Sequence, residues 1–341
     1  HGGFPMAVYP ITEPPGRLGV ITAYLMIYVV WGSTYYFIGT ALQGFPPFLL
    51  GGMRFCTAGL LLLLAGRARG EDIFRGPLVR KSAVSGIILL FVDMAVVMLA
   101  QQYLSSSLVA IIASSTAIWI IALDVPMWRR NFRSISVLAG IAAGFLGVGL
   151  LFAEQLGREE GGGQGAHGIL LLVFGCVSWA LGTLYAKYRS CAEEAVNNVG
   201  GAAWQMLAAG VMFWCWALVR KEPENMDWEE VPASAWLSLL YLVLFGSVLA
   251  YTSYIWLLKV RPAAEVGTHA YVNPLVAVVL GCAAGGEGMT WARMAGLFVI
   301  LGSIALVRRT PPEDSAGKGR ALSPAAAMAY RKGISCRESE K

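Results

Sequence analysis

Charge is scarce in this chain. Asp, Glu, Lys and Arg together make up 14% of 341 residues, against about 25% in an average soluble domain. Histidine is scarcer: His1, His167 and His269 are the whole supply, and only His269 falls inside an apolar run. The six cysteines form no C-x-x-C pair. Neither a redox motif nor a zinc site is indicated, and all six are expected to be free thiols. No Walker A, G-x-S-x-G or H-E-x-x-H pattern occurs, which removes the usual enzyme signatures. The 40 glycines lack a three-residue period, so collagen is excluded. What is abundant is apolar: hydrophobic residues make up 57%. One soluble core cannot hide that much, and disorder requires the opposite composition. An all-α polytopic membrane protein remains.

A bilayer core about 30 Å thick needs about 20 apolar residues in a helix. Ten runs qualify, at roughly 18–38, 47–65, 82–102, 104–124, 134–153, 168–187, 197–219, 235–257, 263–283 and 289–308. The third and fourth are divided at Tyr103–Leu104, since an unbroken helix there would be twice the membrane thickness. Barrel strands alternate in polarity over about 10 residues, and these runs do not. Residues 1–17 read as a cytoplasmic segment, with His1 to Pro5 a cloning remnant ahead of Met6. The polar residues 309–341 read as a disordered cytoplasmic tail.

Lys and Arg fix the expected orientation. With both termini cytoplasmic, 21 of the 26 basic residues lie inside and four lie outside, with Arg54 within a span. The positive charge is thus a topology signal, and no nucleic-acid partner is expected.

The two halves share weak echoes in the same order. Trp31-Gly32-Ser33-Thr34 is matched by Trp179-Ala180-Leu181-Gly182-Thr183. Arg54-Phe55-Cys56-Thr57-Ala58-Gly59 is matched by Gln205-Met206-Leu207-Ala208-Ala209-Gly210, and Leu138-Ala139-Gly140 by Met294-Ala295-Gly296. Residues 154–167 form a Gly-rich extracytoplasmic linker between them. A repeat of five helices is odd, so the second copy (168–308) must be inverted relative to the first (18–153). Inverted repeats with a midplane site at their interface are a common plan of secondary transporters.

These residues resemble the EamA-domain family of the drug/metabolite transporter superfamily, in particular its YedA-type ten-helix exporters. The resemblance rests on Trp31-Gly32-Ser33-Thr34-Tyr35-Tyr36, Arg54-Phe55 with Ala58-Gly59, Ser178-Trp179-Ala180, Leu244-Phe245-Gly246-Ser247, Ala270-Tyr271-Val272-Asn273-Pro274 and Gly286-Glu287. It implies export of small metabolites through a central cavity in the inner membrane, with both termini cytoplasmic. The chain departs from the family pattern at Asp93, Ala100 and Ala117, near the expected cavity, so the substrate does not carry over.

Arg54 costs about 2.5–3.5 kcal/mol at a helix centre and should face protein or water. It reads as an anchor for a substrate carboxylate, or as half of a structural pair. Asp93 lies at similar depth and is the expected partner; it could also carry a proton. His269 suits proton exchange, although a lone histidine in an apolar helix is more often a packing residue. Asn273-Pro274 marks a hinge, because Pro274 removes a backbone bond and frees a carbonyl. Trp31, Tyr35, Trp179 and Tyr271 offer ring surface for flat or cationic solutes, and Gln205 is the counterpart of Arg54. Glu222, Glu224, Asp227, Glu229 and Glu230 read as a solvated loop, and Asp124 as solvated or loop-bonded near a helix end.

The expected function is secondary export of amino acids, nucleobase-like metabolites or amphiphilic drugs by alternating access. No metal or cofactor is expected. Protons are candidate coupling ions, the lipid bilayer is the environment, and a monomer and a homodimer are both open. The alternatives are a receptor or scaffold that transports nothing, or an intramembrane enzyme built on Ser247 and His269.

Overall fold

The structure, a computed structural model, describes residues 17–70, 73–125, 128, 133–158, 164–189, 199–260, 266 and 269–308. Within these, the side chains of 155–158, 164, 182–183, 185–189, 255, 258–260, 271 and 307–308 are outside the description. The terminal segments 1–16 and 309–341 and residues 159–163 of the Gly-rich linker also lie outside the described residues.

The described residues form a succession of helices. They are α1 (Arg17–Ala41), α2 (Pro47–Ala68), α3 (Gly76–Ala100), α4 (Ser106–Leu123) and α5 (Ile135–Arg158). Then come α6 (Gln164–Arg189), α7 (Val199–Val219), α8 (233–260), α9 (His269–Ala283) and α10 (Trp291–Arg308). Seven of them, α1 to α5, α7 and α8, are long and apolar enough to cross a membrane. The other three carry shorter apolar stretches, Gly165–Leu181, Val272–Ala283 and Trp291–Leu306. Large apolar side chains face outward, with Leu18 78%, Ile135 83% and Trp291 89% exposed. So much apolar exterior, on helices that satisfy their own backbone, suits lipid rather than water. The chain is a polytopic α-helical membrane protein.

Local chemistry explains several boundaries. Pro47 opens α2 and Gly76-Pro77 opens α3, where a missing N–H costs nothing. The third helix therefore begins at Gly76, earlier than residue 82. The expected break before α4 is present as a turn over 101–105. Three helices are locally widened into π-helical turns: α1 at Met26–Val30, α3 at Ile87–Val92 and α8 at Leu242–Leu249. Such turns loosen the regular backbone ladder and are common beside functional sites.

The packing partners form matched sets. Helix α2 lies along α7, with Gly51 against Phe213, Gly52 against Trp214, Cys56 against Gly210 and Gly59 against Leu207. Ascending numbers on one helix meet descending numbers on the other, so the two run antiparallel. Helices α5 and α10 do the same: Gly144 meets Ser303, Gly147 meets Ile300 and Leu151 meets Gly296. Helix α1 packs on α8 and α9, while α6 packs on α3 and α4. Phe213, fully buried on α7, is ringed by Phe91, Phe55 and Phe48 at centroid distances of 4.8, 5.7 and 6.2 Å. In lipid, close van der Waals packing of this kind replaces the hydrophobic effect as the glue between helices.

Candidate functional site

The polar side chains inside the bundle come from both halves of the chain. Helix α1 contributes Trp31, Ser33, Thr34 and Tyr35 beside its π-helical turn. Trp31 Nε1 donates to the Gly246 carbonyl of α8 at 3.1 Å. Its ring centroid lies 5.0 Å from Tyr254, 5.3 Å from His269 and 6.4 Å from Tyr251. Ser33 and Tyr241 share a hydroxyl–hydroxyl bond of 2.7 Å. Tyr35 sits one turn above Trp31 on the same face, which extends the aromatic stripe.

Helix α9 meets α1 closely because residue 32 is glycine: a Cβ there would stand 2.7 Å from Val276 Cβ and 3.0 Å from the Asn273 carbonyl. In the orientation that satisfies its surroundings, the Asn273 amide nitrogen lies 3.1 Å from the Ile27, Tyr28 and His269 carbonyls. Two of these belong to the π-helical turn, so Asn273 serves carbonyls that the regular ladder leaves loose. Pro274 lies inside α9. His269 is the first residue of α9 as described, with Nδ1 2.9 Å from the Val266 carbonyl. It packs as a ring against Trp31 and Tyr254. The Tyr271 side chain lies outside the described residues.

Arg54 is 5% exposed. Its Nε donates to Ser247 Oγ of α8 at 3.0 Å, its guanidinium lies 4.9 Å from the Phe55 ring centroid, and Nη1 has no hydrogen-bond partner among the described residues. The expected pairing with Asp93 is absent in this structure. Asp93 instead lies along α6, near Gly175 and within electrostatic range of Tyr35 and Cys176. Depth along the two helices agreed, but their faces did not. Ser247 accepts from Arg54, and no Ser247–His269 bond is present among the described residues.

Gln205 is the counterpart on α7. It is 5% exposed, accepts from the Tyr251 hydroxyl, and donates through Nε2 to Ser85 Oγ of α3 at 3.2 Å. Both ends of its amide are therefore engaged in bracing α3, α7 and α8. Trp179 is half-buried on α6, one turn past Gly175. Trp204 points elsewhere, with Nε1 bonded to the Ile73 carbonyl at the end of α7. Ser85, Tyr251 and Tyr254 escaped the sequence reading. The i, i+3 spacing of the two tyrosines in an apolar helix was the available signal.

Two carboxylates hold helix starts at one end of the bundle. Glu222 is not solvated as its acidic neighbours suggested. It is 7% exposed and accepts from the Leu49 backbone N–H of α2 at 2.8 Å. Burial pushes its pKa up, against the pull of that bond and of Arg220. Glu287 accepts from the N–H groups of Ser106 (2.9 Å) and Ser107 (3.0 Å) and from the Ser106 hydroxyl, at the start of α4. Burial pushes Glu287 up, but the bonds outweigh it and hold the carboxyl below its ordinary value. Both groups complement the positive end of a helix dipole. Asp124 is likewise buried rather than solvated.

The fold and its interior define a class: a helical membrane protein with a polar, aromatic-lined interior contributed by both halves of the chain. The chain belongs to the EamA-like transporter family, whose profile matches twice, over residues 17–153 and 166–309. It is 31% identical over 294 residues to the "uncharacterized inner membrane transporter YedA" of Escherichia coli K12, covering 85% of this chain and 90% of that one. It is 26% identical to the "uncharacterized transporter YvbV" of Bacillus subtilis, covering 86% and 92%. A "probable amino-acid metabolite efflux pump" of Salmonella typhimurium is 25% identical, covering 84% and 95%. One crystal structure superposes with a TM-score of 0.60 at 21% identity, over 85% of this chain and 96% of its own, a likeness of fold.

Proposed function

We propose that this chain is a secondary transporter that exports small metabolites across the inner membrane by alternating access. In this reading ten helices span the bilayer as two inverted five-helix repeats, 18–153 and 168–308, with both termini cytoplasmic. The observation that carries it is the antiparallel lie of corresponding helices: α2 along α7, and α5 along α10. Helices five positions apart in the chain meet in opposite senses, as two inverted copies require. The family profile fits the chain twice at nearly the same boundaries. Under this symmetry, Arg54 on Ser247 corresponds to Gln205 on Ser85, and each pair ties one repeat to the other.

The solute then sits between the repeats, with Trp31, Tyr35, Arg54 and Asp93 on one side and Trp179, Gln205, His269, Tyr271 and Asn273 on the other. Pro274 is the hinge. The Salmonella relative's name makes amino-acid metabolites one substrate class to try first. Reconstituted protein in proteoliposomes tests the reading. A panel of metabolites and amphiphilic drugs is offered with and without a pH gradient. Saturable flux of at least one solute supports the reading, and a gradient dependence identifies protons as the coupling ion. Absence of flux across the panel, with protein correctly inserted, contradicts it.

A further inference from the structure

Asp93 is an ionisable group inside the bundle that none of the contacts described above engages. Helices α3 and α6 run antiparallel, with Val96 against Gly175 and, in the turn after α3, Leu104 against Gly168. That register puts Trp179 level with Asp93. Asp93 lies beside this stretch of α6: a Cβ at Gly175 would stand 3.7 Å from Asp93 Oδ1, at ordinary contact distance. Tyr35 of α1 lies within electrostatic range of the same carboxylate. Neither the carboxylate nor the Tyr35 hydroxyl has a hydrogen-bond or ion-pair partner among the described residues, yet both are only partly buried.

The nearby donors are committed elsewhere. Ser115 Oγ donates to Cys176 Sγ at 3.8 Å, Cys176 Sγ donates to the Ile112 carbonyl at 3.7 Å, and Gln101 Nε2 donates to the Tyr35 carbonyl at 3.1 Å. Arg54, the other charge at this depth, is turned to Ser247 with Nη1 enclosed. A carboxylate away from bulk water and without a countercharge is costly.

We propose that Asp93, Tyr35 and Trp179 form a subsite for the cationic nitrogen of the solute, so that this chain carries organic ammonium compounds with an apolar body. This rests on the transport reading above and names its substrate class. The solute nitrogen supplies the countercharge that the protein withholds. Its attraction to the carboxylate is strong where the surroundings are less polarisable than water. The indole and phenol faces add cation–π attraction, and the aromatic stripe through Trp31 receives the apolar body.

Equilibrium binding to the full chain in lipid nanodiscs tests this with three solutes of similar body: benzyltrimethylammonium, 2-phenylethanol and phenylacetate. Wild type should bind the cation at least about ten-fold more tightly than the other two, a difference of about 1.4 kcal/mol. Asp93→Asn should remove that preference, and Asp93→Glu, which keeps the charge, should retain it. Equal or weaker binding of the cation by wild type, or an unchanged preference in Asp93→Asn, overturns the subsite. Flux in proteoliposomes separates the two claims. Transport of a neutral or anionic solute without Asp93-dependent cation binding leaves the transporter standing and removes the subsite. Asp93-dependent cation binding without flux of any solute does the reverse.

Discussion

Arg54 donates to Ser247 at 3.0 Å, from the middle of α2 to the π-helical turn of α8. The bond fixes a buried cation between the two halves of the chain. A hydrogen bond to a charged group contributes about 1.5–3 kcal/mol, and leaving the charge unpaired costs more. Arg54→Ala is expected to abolish transport while leaving membrane insertion intact. Ser247→Ala should lower stability by about 1.5–3 kcal/mol. Flux in proteoliposomes and thermal unfolding in detergent check the two outcomes; wild-type behaviour in both variants would remove Arg54 from the site.

The close approach of α3 to α7 depends on residue 86 being glycine. A Cβ at Gly86 would stand 2.2 Å from the Gln205 carbonyl oxygen, with backbone on the far side and no room to yield. Gly86→Ala should therefore cost at least about 1–3 kcal/mol, as overpacking does, and should break the Gln205–Ser85 bond. Gly149, beside which a Cβ meets nothing within 4 Å, provides the control: Gly149→Ala should leave unfolding and flux near wild type. A tolerated Gly86→Ala would show that α3 and α7 are farther apart than described.

Glu287 predicts a pH signature. Because its bonds to Ser106 and Ser107 hold it below the ordinary carboxylate value, it stabilises the folded state fully above the unfolded value of about 4.3. That contribution is lost as pH falls through the lower folded value. Glu287→Gln should unfold more easily than wild type at pH 7, by about 1–2 kcal/mol for a lost helix cap, and the gap should close in acid. Glu222, raised by burial, runs the other way: its contribution grows as pH falls through its raised value. Melting of both Gln variants across pH 3 to 8 distinguishes them.

Pro274 should affect motion more than binding. Pro274→Ala restores a backbone donor inside α9. It is expected to slow flux severalfold while changing solute affinity less. Equal losses of affinity and rate would assign Pro274 to the solute rather than to the hinge.

The helices were legible in the sequence because apolar length is a one-dimensional property. The third and fourth were separable at Tyr103–Leu104 on length alone, and a turn lies there. Depth was legible for the same reason, at about 1.5 Å per residue. Direction around the helix axis was not. Arg54 and Asp93 share a depth, yet one faces α8 and the other α6. A helix apolar on all sides carries no stripe from which that angle could be read. The π-helical turns were hidden too, since the runs Met26–Val30 and Ile87–Val92 contain nothing but ordinary apolar residues. Glu222 was misread because its acidic neighbours resemble a solvated loop, whereas its partner at Leu49 is 173 residues away.

Access to position 35 from each side of the membrane tests the central claim most directly. A single cysteine replaces Tyr35 in a chain whose six native cysteines are serine, reconstituted in one orientation and labelled with an impermeant thiol reagent. The account predicts reaction from either face, with transported solute changing the two rates in opposite directions. Reaction from neither face, or from both faces at rates that solute leaves unchanged, would contradict alternating access.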